Sequence, residues 1–135
     1  MLQEFIAGRV DHPMAALLNY RPIHAELGHV VWEARPGEQH FSSRGAVQGG
    51  YLAAFLDSVT GSAIRTHLQP GYDQVTIDLA VKMIRPVLAG TVLRGEGRAL
   101  NVGRRIGTSE ASVYDGNGKL LGHGTATMLI TRNEA

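Results

Sequence analysis

Residues 49–64 read GGYLAAFLDSVTGSAI, and their only formally charged side chain is Asp57. A run that is apolar nearly all round is typical of a helix buried inside a protein rather than one on its surface. A carboxylate in such a helix costs several kcal/mol unless it is paired, hydrogen-bonded or used in chemistry. Asp57 is therefore the first candidate for a functional group. The alternative is that Asp57 only accepts hydrogen bonds from the backbone of a neighbouring element.

The composition is that of an ordinary globular protein. The chain has 135 residues, of which 44% are hydrophobic and 19% charged, which fits one domain over residues 1–135. A formal net charge of +1 gives little electrostatic reason to bind nucleic acid or an acidic membrane. The N-terminus has no basic region followed by a long apolar stretch, and residues 49–64 are too short and too polar to span a bilayer. We therefore expect a cytoplasmic protein.

Neither cysteine nor histidine indicates a metal centre. Cysteine is absent, which excludes disulfides, thiolate metal sites and thiol catalysis. The six histidines show no metal-type spacing such as H-E-x-x-H. We interpret them as structural or surface groups, with His40 as a candidate for the mouth of a pocket, and we expect no metal and no bound cofactor.

The elements around the helix follow from turn residues and hydrophobic period. The helix is predicted over residues 48–68 and ends at Gln69-Pro70-Gly71. A helical extension over residues 1–22 comes first, with short helices predicted over Leu2–Arg9 and from Pro13. One strand is predicted over Ile23–Arg35. Four strands follow the helix as an antiparallel meander: Val75–Met83, Thr91–Leu100, Arg105–Tyr114 and Lys119–Thr131.

Small residues recur on one face of the later strands. That face carries Gly95, Gly97 and Ala99, then Ser109, Ala111 and Val113, then Gly122, Gly124 and Ala126. Such a face lets another backbone approach closely. Because the apolar helix is the element that needs this room, we predict an α+β fold in which an antiparallel sheet wraps around one long central helix.

Residues 41–50, FSSRGAVQGG, followed by Asp57 and Gly61, are similar to a known pattern. That pattern is N-x-x-G-x-x-H-G-G, followed after six residues by a catalytic acid and then by a Gly. With it, the chain resembles the hotdog-fold acyl-CoA thioesterases of the phenylacetate-pathway type over about residues 27–131. The resemblance implies a hotdog fold, an acyl-CoA substrate that is split into CoA and a carboxylate, and a homo-oligomer that is a dimer or a dimer of dimers.

Two residues depart from the family pattern, since Ser42 and Gln48 replace the usual Asn and His. Both can form hydrogen bonds but neither is basic, and Ser42 can donate only once to the thioester oxygen, from a shorter arm. We therefore expect altered substrate choice or a slower enzyme. The resemblance also implies that Thr76 helps to hold the attacking water. Strict alternation, however, points Thr76 away from the face of its apolar neighbours, so Thr60 is the substitute candidate.

The start of the helix predicts the chemistry. Gly49 and Gly50 place free N–H groups at the positive end of the helix dipole, which suits an oxyanion site that a thioester can approach closely. Asp57, as general base on water or as nucleophile, lies eight residues beyond Gly49, or about 12 Å along one helix. No single thioester can touch both groups. Two chains with antiparallel helices would bring Asp57 of one opposite Gly49 of the other, which predicts a dimer with two equivalent sites.

Other residues are candidates for substrate contacts. Arg104, by its family position, and Arg85, at a strand end, could meet the phosphates of CoA, although solvated surface charge is the alternative reading of both. Tyr51, Leu52 and Phe55 could shape an acyl pocket or form plain core.

The function predicted from the sequence is that of an acyl-CoA thioesterase. A non-catalytic acyl-CoA-binding module of the same fold is the alternative. A hydratase is disfavoured, because hydratases of this fold usually pair the acid with a His on the helix, whereas Asp57 is followed five residues later by Ser62.

Overall fold

The predicted long helix is α3, Gly49–Arg65, in the computed structural model, which describes residues 2–8 and 12–133. It forms the centre of the core, where Phe55, Leu56 and Val59 are completely buried. Among the described residues, no helix has the length and apolar character that crossing a membrane requires.

Two short helices precede the sheet. They are α1, Leu2–Ile6, and α2, Pro13–Leu18, with Pro13 in the first turn as predicted. Arg9, the last residue of the first predicted helix, lies outside the described residues. The helical extension predicted through residue 22 ends earlier, because strand β1 begins at Tyr20.

The described residues form one antiparallel sheet with the strand order β1-β2-β4-β5-β6-β3. The strands are β1 Tyr20–Glu26, β2 His29–Ala34, β3 Tyr72–Met83, β4 Leu93–Val102, β5 Ile106–Tyr114 and β6 Leu120–Arg132. The predicted four-strand meander is wrong in one respect. Strands β4, β5 and β6 are successive neighbours, but β3 pairs with β6 at the far edge, and β4 pairs with β2 instead. The alternation of apolar and polar residues along a strand does not show which other strand pairs with it.

The single strand predicted over Ile23–Arg35 is also wrong, because it is a hairpin. Leu27 and Gly28 connect β1 to β2, and Gly28 has a φ of 75°, a value that favours glycine. The Gly28 N–H donates to Thr66 Oγ1 at 2.8 Å, which ties the turn to the end of α3. A lone glycine is a weak turn signal, so this turn could not be predicted from the sequence.

Strand β3 contains a bulge at Ile77. Thr76 and Asp78 pair with consecutive residues of β6, Met128 and Thr127, so Ile77 has no partner in the ladder. The extra residue reverses the alternation, and Thr76 therefore shares the inner face with buried Met128. The prediction from strict alternation, which pointed Thr76 the other way, is wrong for this reason.

Glycines on the inner face of the sheet let it close on the helix, as predicted. A Cβ at Gly97 would lie 2.8 Å from Val59 Cγ1 and 2.9 Å from the Val59 carbonyl oxygen, and one at Gly95 would lie 2.7 Å from Phe55 Cζ. No side chain fits at these two positions unless the helix or its side chains move.

One stripe of α3 stays partly exposed between the two edge strands of the sheet. The stripe consists of Ala53, Ala54, Asp57 and Ser58. Edge strand β1 borders it through Tyr20, which contacts Ser58, and edge strand β3 borders it through Thr76, which contacts Asp57. The carboxylate singled out by the sequence therefore lies on the one side of the helix that the sheet does not cover.

Candidate active site

The loop before α3 fixes where the helix begins. The Ser42 N–H donates to the Ala46 carbonyl at 2.7 Å, and the Gln48 N–H donates to the His40 carbonyl at 2.9 Å. Gly45, with a φ of 80°, closes the turn between these two contacts. The loop thus holds the first turn of α3 at a fixed place on the surface.

The helix start carries unused donors. Gly49 and Gly50 are exposed, and neither N–H donates to any group of the chain among the described residues. The Gln48 side chain makes no capping hydrogen bond and is exposed beside them. Two free N–H groups at the positive end of the helix dipole are a suitable binding place for a developing negative oxygen.

The carboxylate of Asp57 is held by one hydroxyl. Thr76 Oγ1 donates to Asp57 Oδ1 at 2.8 Å. No ion pair and no second side-chain hydrogen bond reaches this carboxylate from residues 2–8 and 12–133, so Oδ2 is free to act on an external group. A half-buried carboxylate that is oriented by one donor and otherwise unpaired can take a proton or attack a carbonyl carbon.

The other two predicted hydroxyls have local partners. Thr60 is fully buried, and its Oγ1 donates to the Leu56 carbonyl at 2.8 Å, so it serves the helix backbone rather than the carboxylate. Ser42 is half-buried, and its Oγ accepts a hydrogen bond from the Arg44 N–H at 3.3 Å. The Ser42 hydroxyl hydrogen is still available to a ligand.

The two arginines that were predicted to contact CoA phosphates have different surroundings. Arg85 Nη1 donates to the Leu120 carbonyl at 2.6 Å. Arg104 lines a groove of about 420 Å³ at the far end of α3, together with Arg105, Arg132 and His67. No carboxylate lines this groove within the described part of the chain.

The residues considered for an acyl pocket or its mouth belong to the core. His40 is buried, its Nδ1 accepts from the Gly37 N–H at 2.9 Å, and its Nε2 lies 3.1 Å from the Leu17 carbonyl. The prediction that His40 lies at a pocket mouth is therefore wrong. The three apolar candidates are buried as well: Tyr51, Leu52 and Phe55.

One polar pair beside the carboxylate was missed by sequence reasoning. The Tyr20 hydroxyl lies 2.9 Å from Ser58 Oγ, next to Asp57 on the exposed stripe. Burial raises the pKa of Tyr20, the hydrogen bond with Ser58 lowers it, and the negative charge of Asp57 raises it further. The two partners are 38 residues apart, so no local pattern could have joined them.

Comparison with known proteins assigns this chain to a family. The thioesterase superfamily matches residues 44–121, which is more than half of the chain. A phenylacetic acid degradation-related protein from Ralstonia eutropha JMP134 has a similar structure, with a TM-score of 0.86, 27% identity and coverage of 95% of this chain and 98% of that one. This protein belongs to the thioesterase superfamily, as a hotdog-fold thioester hydrolase of the phenylacetic acid degradation type.

Two more relatives extend the comparison. The "Putative esterase SSO2140" of Saccharolobus solfataricus is 29% identical over 118 residues, which are 87% of this chain and 82% of the relative. A hypothetical thioesterase protein from Streptococcus pneumoniae TIGR4, solved with coenzyme A, shares the fold with a TM-score of 0.78 and 23% identity, covering 87% of this chain and 92% of that one.

Proposed function

We propose that this protein hydrolyses acyl-CoA thioesters to CoA and a carboxylate, at a site that two copies of the chain share. The observation that carries the proposal is the oriented, otherwise unpaired Asp57 on the uncovered stripe of α3. The coenzyme A in the Streptococcus pneumoniae relative supports CoA as the leaving group.

Asp57 supplies the attacking group. With Oδ1 held by Thr76, Oδ2 either takes a proton from a water molecule that attacks the thioester carbon, or attacks that carbon itself. In the first route, the tetrahedral intermediate collapses with loss of the CoA thiolate, which takes up a proton. In the second, the C–S bond breaks with loss of the CoA thiolate, which takes up a proton, and leaves a mixed anhydride on Asp57; water then hydrolyses this anhydride to the free carboxylate and Asp57. In both routes, Asp57 Oδ2 must lie next to the thioester carbon.

The helix start stabilises the thioester oxygen as it becomes negative. The Gly49 N–H is the oxyanion donor, and the small Gly50 lets the substrate lie against the backbone. Gln48, directly before Gly49 in the chain, and Ser42, in the loop before α3, are the two side chains that we expect to add a hydrogen bond to the substrate. Removing one oxyanion donor typically lowers turnover about 100- to 1000-fold.

A second copy of the chain completes the site. Gly49 and Asp57 are eight residues apart in α3, or about 12 Å, which is too far for one thioester carbonyl. The uncovered stripe carries only small neighbours, Ala53 and Ala54, so a second helix could pack closely against it. Edge strand β3, which borders this stripe through Thr76, also exposes the two apolar residues on either side of Thr76, Val75 at 55% and Ile77 at 56%. An exposed apolar edge of this kind favours coverage by another chain.

The nucleotide end of CoA carries phosphates, which need cationic partners. The groove of Arg104, Arg105 and Arg132 supplies guanidinium groups, and none of the described residues that line it carries a carboxylate. Arg85, whose side chain is already bonded to a carbonyl, is a weaker match for this role. We therefore assign phosphate binding to Arg104 first.

The direct test is Asp57→Asn, assayed by thiol release over a panel of aryl, short and long acyl-CoAs. Turnover should fall about 10²- to 10⁴-fold, the usual contribution of a general base. Asp78→Asn is the matched control, since Asp78 is an exposed carboxylate on edge strand β3, the strand that also carries Thr76. Unchanged turnover of Asp57→Asn across the panel would overturn the proposal. Tight acyl-CoA binding by the wild-type chain without product would instead favour a non-catalytic binding module.

The shared site has its own test in mixed dimers. Gly49→Pro removes the N–H donor at a position where proline suits a helix, and Gln48 before it is already extended, with φ −61° and ψ 138°. Gly49→Ala is the control that keeps the donor, since its Cβ would lie 3.5 Å from Met83 Cε, an ordinary contact.

Mixing Asp57→Asn with Gly49→Pro chains gives mixed dimers that hold one intact site and one doubly defective site. Random mixing should recover about a quarter of wild-type activity. No recovery, with mixed dimers present by native mass spectrometry, would mean that both groups act within one chain.

A further inference from the structure

A second group of polar residues lies on the outer face of the sheet, away from α3. His24 and Glu26 lie on β1, His29 lies on β2 and Glu96 lies on β4. His29 alternates with the fully buried Val30, so its side chain points to the outer face. The proposed hydrolysis uses none of these residues.

The hydrogen-bonding state of His29 is the first argument. Its Nδ1 lies 2.9 Å from Glu26 Oε1, and its Nε2 lies 3.0 Å from Glu96 Oε1. A neutral imidazole has only one N–H, so one of the two nitrogens must present a lone pair to a carboxylate oxygen. The ring of His29 therefore lies between two carboxylates, an arrangement in which a bound cation can be shared by one ring nitrogen and its neighbouring carboxylate oxygen.

The spacing of the side chains suits a metal ion. Glu26 Oε1 lies 2.9 Å from His29 Nδ1 and 3.6 Å from His24 Nε2, and the three ligand atoms lie within 4.8 Å of one another. Bonds of about 2.0–2.2 Å to a tetrahedral Zn²⁺ put neighbouring ligand atoms about 3.3–3.6 Å apart. Because the side chain of His24 is 55% exposed, its ring can turn to close the remaining gap without disturbing the core.

We propose that His24, Glu26 and His29 bind a divalent transition-metal ion of the Zn²⁺ class, with water as the remaining ligand. Two imidazoles and one carboxylate suit Zn²⁺, Ni²⁺ or Cu²⁺ better than the oxygen-preferring Mg²⁺ and Ca²⁺. Glu96 accepts from His29 Nε2 and so directs Nδ1 at the ion, as carboxylates commonly do for metal-bound histidines. The two carboxylates also balance the charge of the ion.

Such an ion would act as a cross-link. Two of its ligands lie on edge strand β1, and the third lies on β2 beyond the turn at Leu27 and Gly28. The bound ion would therefore hold the edge strand to its neighbour and raise the stability of the folded chain.

The test is a calorimetric titration of the tag-free, EDTA-treated full chain with Zn²⁺ near neutral pH. One Zn²⁺ per chain should bind and raise the Tm, and Co²⁺ should give visible absorption bands. His24→Ala and Glu26→Gln should each weaken Zn²⁺ binding roughly tenfold or more, and Glu96→Ala about 10- to 100-fold.

His123→Ala is the control, because His123 lies on the same face, with Nε2 3.8 Å from Glu110, and should leave Zn²⁺ binding unchanged. The proposal is overturned if the wild-type chain binds no Zn²⁺, or if the His24→Ala and Glu26→Gln variants bind it as tightly as the wild type.

Discussion

The sharpest structural prediction concerns the approach of the sheet to the helix at Gly97. In Gly97→Ala, the new Cβ would meet Val59 Cγ1 at 2.8 Å and the Val59 carbonyl oxygen at 2.9 Å. A side-chain methyl can rotate away, but the carbonyl is fixed in the backbone of α3, so the helix or the strand must shift. Overpacking of this kind costs about 1–3 kcal/mol. Replacing Gly by Ala recovers about 0.4–1 kcal/mol of unfolded-state entropy. The difference is a net loss of about 0 to 2.6 kcal/mol, with a central value of about 1.3 kcal/mol.

Gly124→Ala is the matched control for this experiment. A Cβ at Gly124 would lie 3.5 Å from Leu56 and from the Ala80 carbonyl, which is ordinary contact on the same inner face. Its free energy of unfolding should stay unchanged or rise slightly. Urea unfolding at fixed protein concentration gives the comparison, since an oligomer would make stability depend on concentration. Equal stability of the two variants would refute the inferred close contact between β4 and α3.

Three further predictions concern the site and its surroundings. Thr76→Val removes the donor to Asp57, and since a hydrogen bond to a charged group contributes about 1.5–3 kcal/mol, kcat/KM should fall about 10- to 150-fold in the thiol-release assay. Thr76→Ser should keep most activity, and an equal loss in both variants would argue against a role for the hydroxyl. Gln48→Ala should cost less turnover than Asp57→Ala, because Gln48 is not a base, and equal losses would contradict that order. Tyr20 has a pKa above its ordinary value of 10.0, so the stability it contributes is complete below that pH and is lost as pH rises through the folded pKa. In Tyr20→Phe, the free energy of unfolding should therefore fall less steeply between about pH 9 and about pH 11, and an identical slope would assign the effect to other groups.

The central part of the fold could be predicted from the sequence because its signals are local. The run from Gly49 is apolar on most faces, and a break at Pro70 ends it, so the helix was placed to within a few residues. The wrapped sheet could be predicted for the same reason. The glycines of β4 and β6 that face the helix can be read directly from the sequence, and they indicate where the sheet approaches it closely.

The order of the strands could not be predicted, because pairing is decided by contacts distant in sequence. Nothing in the alternation of β3 says that it joins β6 rather than β4. The turn at Gly28 was missed because one glycine is a weak signal, and its contact with Thr66 exists only in the folded chain.

The candidate site was predicted in part. Asp57 and Gly49 follow from charge and helix position, and both lie where the sequence analysis expected them on α3. The orientation of Thr76 depends on the bulge at Ile77, which the alternation of apolar and polar residues does not reveal. The outer-face group around His29 has no motif spacing at all, because Glu96 reaches it from a strand 67 residues away.

The bulge at Ile77 in β3 also determines where this strand can gain or lose a residue in evolution. Residues 76 and 78 already pair with adjacent partners, so a deletion of residue 77 would leave every other side chain on its present face. A deletion anywhere else along the strand would turn one part of it over and carry either the hydroxyl or the apolar residues to the wrong side. Homologues in which this strand is one residue longer or shorter should therefore have gained or lost that residue at position 77.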